Sequence, residues 1–155
     1  MDFIIQLFAC LLFFSSFIHI GKLVLDYNWY MDTYSYLPVW LAVGRYLFSW
    51  FQRIIGLTVA FGLLYRKNFA RLLGMVLGVF TISTIFWKHP YDGMLRHIHF
   101  LFETNPTVHK AIMESGVTLS GLTIAVIIVH SLLDIIFWVL YINFFRKEKI
   151  KVKFH

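Results

Sequence analysis

The sequence predicts an all-α protein that spans a membrane as a four-helix bundle, with short interfacial helices in the outer loops. Three observations lead to this fold class. Hydrophobic residues make up 59% of the 155 residues and charged residues only 14%, whereas a soluble domain carries about 25% charged residues. Four apolar stretches come close to or exceed the roughly 20 residues that a membrane helix needs. The positive charge is also unevenly distributed between the connecting segments, as in polytopic membrane proteins.

The first two spans are predicted at about residues 3–25 and 41–65. The first stretch has no basic segment before it and no Ala-x-Ala cleavage site, so we expect a retained helix rather than a secretory signal. The linker 26–40 is rich in Tyr and Trp. Such rings are typical of the headgroup level of a membrane.

The third and fourth spans are predicted at about residues 69–87 and 117–145, and a basic tail follows at 146–155. The second and third spans are joined by the tight basic turn 66–68. No repeat, low-complexity tract or linker divides the chain, which predicts a single membrane domain over residues 1–155.

The longest connection, residues 88–116, is predicted to contain two short helices on the membrane surface. Asp92 is suited to begin the first, which would carry apolar residues as far as Phe102. Pro106 favours the start of the second helix and Gly116 its end, because proline is tolerated in a first turn and glycine after a last one.

With four spans, both termini and the 66–68 turn share one side of the membrane. That side holds eight basic and two acidic residues, a net charge of +6, and the other side sums to zero. The residues of the charged side are Arg66, Lys67, Arg71, Arg146, Lys147, Lys149, Lys151 and Lys153, with Asp2 and Glu148. Because short loops rich in Lys and Arg stay in the cytoplasm, we expect both termini there.

One charge lies inside each of two spans. At 1.5 Å per residue, Arg53 is roughly 18 Å and Asp134 roughly 17 Å from the cytoplasmic ends of their helices. An isolated charge in hydrocarbon is costly, so charged residues in spans normally pair within the bundle. The sequence therefore predicts an intramembrane ion pair between Arg53 and Asp134. This pair either fixes helix packing or, together with His130, forms a proton or ion pathway.

Two histidines lie at similar depth on the first and fourth spans. His19 is roughly 24 Å and His130 roughly 22 Å from the cytoplasmic ends, and His130 is one helical turn from Asp134. Histidines on separate helices are typical axial ligands of a b-type haem. Alternatively, both rings hydrogen-bond to hydroxyl groups across the bundle, and no cofactor is bound.

Small residues recur at every fourth position on two spans, a pattern that lets helix backbones approach closely. They are Ala70, Gly74 and Gly78 on the third span, and Gly121 and Ala125 on the fourth. The pattern fits either packing inside this chain or docking of a partner subunit.

Reactive and metal-binding patterns are weak. The sequence has no phosphate-binding glycine loop, nucleophile elbow or HExxH motif, and we favour a protein that is not an enzyme. His97 and His99 would chelate a metal only on an extended segment, since residues two apart on a helix point in different directions. We therefore expect no metal site. Cys10 lies within an apolar run, where a lone cysteine is usually a small hydrophobic residue.

Two segments carry a resemblance to known proteins: LLYRKNFARLLGMVLGVFTI, from Leu63 to Ile82, and FWVLYINFFRK, from Phe137 to Lys147. The chain resembles small four-helix bacterial inner-membrane proteins without an assigned function, which implies the bacterial inner membrane as its location. Through His19 to Asp26 and the basic turn it is also similar in layout to the sterol-isomerase and sigma-2-receptor group. Gln52 and Arg53 stand where that group is expected to offer a carboxylate.

These observations favour a small accessory or structural subunit of a larger membrane complex. We expect the lipid bilayer, other membrane subunits or further copies of the chain as partners, and no nucleic acid. One alternative is a proton- or ion-coupled transport component that uses Arg53, His130 and Asp134. The other is an electron-transfer subunit that holds haem b between His19 and His130.

Overall fold

A computed structural model of the protein describes residues 2–25, 27–85 and 91–155. Helices account for 86% of the described residues, and no strand occurs among them, so the all-α prediction is confirmed. Within that described part, three helices are long and apolar enough to cross a membrane. They are α1 (Asp2–Leu25), α3 (Val39–Leu64) and the later helix α7 (Leu119–Phe145).

The third predicted span corresponds to a shorter helix, α4 (Asn68–Ser83), of 16 residues. At 1.5 Å per residue α4 is about 24 Å long, which is less than the roughly 30 Å thickness of a hydrocarbon core. The end of this predicted span, residues 86–87, lies outside the described residues. The four-helix membrane bundle therefore stays a prediction.

Among the described residues, four further helices lie in the connections and the tail: α2 (Tyr27–Thr33), α5 (Tyr91–Thr104), α6 (Pro106–Glu114) and α8 (Glu148–Lys151). The helices α5 and α6 are the two that the sequence predicts between residues 88 and 116. Pro106 is the first residue of α6, and Gly116, with φ +75°, follows its end. Neither α2 nor α8 is predicted from the sequence.

The chain divides into two compact units, Met1–Thr81 with Phe137–His155, and Ile82–Ile136. In the first unit α1 packs along α3. The hydroxyl of Ser16 lies where a side chain at Gly56 would begin, and the rings of Phe13 and Phe61 are 5.6 Å apart. A glycine at this crossing allows the close approach that apolar helices need in a membrane.

The turn between α3 and α4 ends α3 with a Schellman motif. The N–H of Lys67 donates to the carbonyl of Gly62 at 2.8 Å, and the N–H of Arg66 donates to Leu63 at 3.1 Å. Such a motif places one residue in the left-handed region, usually a glycine. Here that residue is Arg66, with φ +55°. The left-handed backbone costs an L-residue about 1 kcal/mol, so other contacts must hold Arg66 there.

The second unit contains α5, α6 and the first two-thirds of α7. Among the side chains of α5 that the structure describes, the buried apolar ones are Ile98 and Phe102. The hydroxyl of Thr118 accepts a hydrogen bond from the N–H of Gly121 at 3.1 Å and so caps the start of α7. This bond satisfies one of the N–H groups that a helix start leaves unpaired.

Candidate functional site

The two charges predicted inside the membrane lie on helices that are long and apolar enough to span it, and both side chains are half-buried. Arg53 is on α3 in the first unit, and Asp134 is on α7 in the second. Each makes an interaction with another group. Their mutual ion pair, and its alternative role in a proton or ion pathway, stay predictions.

The two membrane histidines share one local arrangement. The Nδ1 of His19 lies 2.6 Å from the carbonyl oxygen of Ser15, and the Nδ1 of His130 lies 3.0 Å from that of Val126. A carbonyl can only accept, so Nδ1 donates and, in a neutral ring, Nε2 carries the lone pair. This is the nitrogen that a haem iron would need. Both rings are exposed, and the haem hypothesis stays untested because the two residues belong to different units.

The small-residue stripe on α4 faces other side chains of the same unit. Ala70 is fully buried, and its Cβ lies where a side chain at Gly62 would begin. A Cβ added to Gly74 would overlap the hydroxyl of Tyr141 and lie 2.6 Å from the Cζ atom of that ring. A Cβ added to Gly78 would lie 2.7 Å from Trp138. Along the stripe, α3 thus packs against Ala70, and two large aromatic rings of α7 pack against Gly74 and Gly78.

The second pair of small residues, Gly121 and Ala125, is exposed on α7. Among the described residues, a Cβ added to Gly121 would meet within 4 Å only the hydroxyl of Thr118, the cap of the same helix. Unlike at Gly74 and Gly78, no described atom of another helix lies within 4 Å of the position that a Cβ at Gly121 would take.

Arg71 has a structural role that its place in the charge count did not suggest. It is 6% exposed, and its Nη1 donates to the backbone carbonyl of Phe145, the last residue of α7, at 3.1 Å. Its Nε donates to the Oδ1 of Asn68 at 2.9 Å. A cation at a helix C-terminus satisfies a carbonyl that the helix leaves unpaired and interacts favourably with the helix dipole. Arg71 therefore caps α7 and joins it to α4.

The chain termini and the 66–68 turn meet in the first unit. We call this region the basic end; it comprises Asp2, residues 66–71 and residues 146–155. The carboxylate of Asp2 lies 2.6 Å from the Nζ of Lys153 and 3.2 Å from the Nη2 of Arg66. The N–H of His155 donates to the carbonyl of Arg66, and the carbonyl of His155 accepts from the N–H of Asn68. These backbone bonds hold the left-handed Arg66 in position.

An aromatic cluster beneath the basic end connects α1 with α7. The ring of Phe8 lies 5.3 Å from that of Tyr141 and 5.6 Å from that of Phe145. Tyr141 and Phe145 are fully buried, and Phe145 also contacts the tail residue Phe154 at 5.8 Å. The hydroxyl of Tyr141 is buried without a hydrogen-bond partner among the described residues. The individual residues are ordinary apolar positions of a span, so periodicity alone could not single them out.

The opposite end of the first unit is also aromatic, as expected of an interfacial linker. The guanidinium of Arg45 lies 4.9 Å from the ring centroid of Tyr34, within cation–π range. The hydroxyl of Tyr46 donates to the carbonyl of Leu23, which ties the start of α3 to the end of α1. Burial raises the pKa of the Tyr30 phenol, which lies 3.4 Å from the Ser49 hydroxyl. These contacts hold the linker and the start of α3 against each other and against the end of α1.

The second unit holds a cavity of about 320 Å³, whose ionisable lining residues are His99 and Glu103, 3.2 Å apart. Its lining consists of His99, Phe102, Glu103, Met113, Thr118 and Leu119. Where the side chains are described, no group of three or more His, Cys, Asp or Glu could hold a metal ion. His89 and the side chain of His97 lie outside the described residues. Cys10 is exposed on α1.

No known protein family, no curated protein and no solved structure matches the chain.

Proposed function

We propose that the chain is a small polytopic membrane protein that acts as an accessory or structural subunit of a membrane complex. The observation that carries this proposal is the open small-residue pair on α7. Gly121 and Ala125 are exposed, and they lie among exposed apolar residues such as Ile124 and Ile128. Only 17% of the most apolar part of α7 is buried, against 28% for α3. A helix with small residues on an uncovered apolar face favours close approach by another membrane helix.

The two small-residue patterns support different roles. Side chains of this chain already lie against Gly74 and Gly78, which leaves the stripe on α4 no room for a partner helix. Gly121 retains room for a partner backbone. The occupant is a helix of another membrane subunit or of a second copy of the chain.

Mild solubilisation followed by purification tests this role. We expect the wild-type chain to be recovered with other membrane subunits or as an oligomer. Gly121→Leu should reduce that recovery at least tenfold, because the leucine blocks close approach. Gly44→Leu is the matched control, since Gly44 is exposed on α3 and its Cβ would meet nothing described within 4 Å. A solitary, stable wild-type monomer would contradict the subunit proposal.

We further propose four membrane passes in a bacterial inner membrane, with both termini in the cytoplasm. The contacts of the basic end support this arrangement, because Asp2, Arg66 and Lys153 lie together. The end of α1 that carries Asp2, the α3–α4 turn and the tail would then share one side. Termini on the same side of a membrane require an even number of passes. The helices α1, α3 and α7 would supply three, and α4 would supply the fourth. The start of α1, the α3–α4 turn and the tail together carry an excess of Lys and Arg, which favours the cytoplasmic side.

Cysteine labelling in intact cells tests the topology. Single cysteines at Asp32, Lys110 and His155 would be introduced into a Cys10→Ser chain and treated with a membrane-impermeant maleimide. We expect labelling at positions 32 and 110 before lysis and at position 155 only after lysis. If α4 does not cross the membrane, position 110 will lie on the cytoplasmic side and will be labelled only after lysis. Position 155 would then lie outside, and its labelling before lysis would contradict four passes.

A further inference from the structure

The basic end carries more cations than its own carboxylates neutralise. Asp2 contacts Arg66 and Lys153, and Glu148 contacts Lys151. The two acidic residues of this end are thus both engaged with neighbouring cations. Arg71 is buried and bonded to a backbone carbonyl and an amide oxygen.

Four exposed cations remain, and none of them forms an ion pair with any residue that the structure describes. They are Lys67, Arg146, Lys147 and Lys149. Lys67 lies in the turn before α4, and Arg146 directly follows α7. The bond between Arg71 and the Phe145 carbonyl brings these two helix ends together. Uncompensated positive charge is therefore concentrated where two apolar helices end.

A folded tail carries three of these cations. Ile150 is fully buried, Phe154 is 9% exposed, and His155 bonds through its backbone to the 66–68 turn. Because the tail is already ordered, a ligand bound there does not have to order it, which reduces the entropic cost of binding. Exposed apolar side chains, Tyr65 and Val152, lie beside the cations in the sequence. This combination of fixed charge and apolar surface suits the headgroup region of a bilayer.

We propose that Lys67, Arg146, Lys147 and Lys149 form a binding surface for anionic phospholipid headgroups of the adjacent leaflet. A headgroup with a net negative charge supplies the compensating charge that the described residues of the chain do not provide to the four cations. A zwitterionic lipid carries the same phosphate, but its ammonium group cancels that charge. The inference rests on the proposed membrane insertion, and it assigns the basic end a ligand in addition to an orientation signal.

The test measures lipid binding by the full-length purified chain in detergent, by native mass spectrometry. Phosphatidylglycerol and phosphatidylcholine with the same acyl chains are titrated separately. One Lys or Arg near an anionic surface contributes about a fivefold factor in affinity, so Lys147→Gln with Lys149→Gln should weaken phosphatidylglycerol binding about 25-fold. Phosphatidylcholine binding should not change. Raising the ionic strength should reduce the difference between the two lipids, because salt screens exposed charges.

The control removes two exposed cations outside the basic end, Lys22→Gln with Lys110→Gln, of which Lys110 pairs with Glu114; it should leave phosphatidylglycerol binding within about twofold of wild type. Equal affinity of the wild type for both lipids would overturn the proposal, as would an equal loss of phosphatidylglycerol binding in the control. A tail variant that loses a co-purified protein but keeps its lipid would assign the surface to an acidic protein partner instead. Extraction of the wild-type chain from membranes by alkaline carbonate would, separately, refute membrane insertion itself.

Discussion

Gly74→Ala tests the contact between α4 and α7 most directly. The added Cβ would overlap the hydroxyl of Tyr141 and lie 2.6 Å from its Cζ atom and 2.9 Å from its Cε1 atom. Carbon atoms in good contact are about 3.5–4.0 Å apart. Either α4 moves away by about 1 Å, or the ring of Tyr141 rotates.

The ring has little room to rotate. Tyr141 is fully buried, and its centroid lies 4.4 Å from that of Phe145 and 5.3 Å from that of Phe8. Adding a methyl group to a packed interior typically destabilises a protein by about 1–3 kcal/mol. Because the close atoms belong to a confined ring and not to a flexible side chain, we expect about 3 kcal/mol, the upper end of that range.

The assay is reversible unfolding in mixed micelles, in which the SDS fraction is raised and helicity is followed by far-ultraviolet circular dichroism. Gly21→Ala and Gly44→Ala are the matched controls, since the added Cβ meets no described atom within 4 Å at either position. Both controls should unfold at or above the wild-type midpoint, because alanine has the higher helix propensity. The reasoning would be refuted if Gly74→Ala unfolded together with the two controls.

Substitutions at four further positions probe neighbouring contacts by the same unfolding assay or by proteolysis. Tyr141→Phe should raise the free energy of unfolding by about 1 kcal/mol, because it removes a buried hydroxyl that has no described partner; a loss of stability would indicate a hidden hydrogen bond. Arg71→Met should lower it by about 2 kcal/mol, since the carbonyl of Phe145 loses a charged donor; an unchanged midpoint would contradict the capping role. Arg66→Gly should be about 1 kcal/mol more stable than Arg66→Ala, because both lose the side chain and only glycine relieves the left-handed backbone; equal stability of the two would argue against that strain. Phe154→Ala should speed trypsin cleavage within the tail without shifting global unfolding, because the ring anchors the tail on Phe145; unchanged cleavage would mean that other contacts hold the tail.

The long apolar helices were predictable because their signal is local. The predicted spans 3–25, 41–65 and 117–145 lie within about two residues of α1, α3 and α7. A membrane helix satisfies its own backbone hydrogen bonds, so a sufficiently long apolar run specifies it without reference to the rest of the chain. The two short helices α5 and α6 were predictable for a similar reason, since the Pro106 start and the Gly116 end are local signals.

The contacts between helices were only partly predictable. Spacing identified Ala70, Gly74 and Gly78 as a close-approach stripe, but it could not say whether this chain or a partner lies against it. That answer depends on Tyr141 and Trp138, which are more than 50 residues away in the sequence. The role of Arg71 was missed for the same reason, because its acceptor, the Phe145 carbonyl, is 74 residues distant.

The sequence by itself determined the all-helical class, the bounds of the long apolar helices and the +6 charge carried by the termini and one turn. These properties follow from composition and from hydrogen bonds within each helix. Only the tertiary structure decided that the charged segments meet and that both of their carboxylates pair with cations of the chain. It also decided which cations form no ion pair with a described residue: Lys67, Arg146, Lys147 and Lys149. Ion pairing and burial depend on which distant residues come together, and the apolar pattern of a span, almost uniform around the helix, carries little information about that pairing.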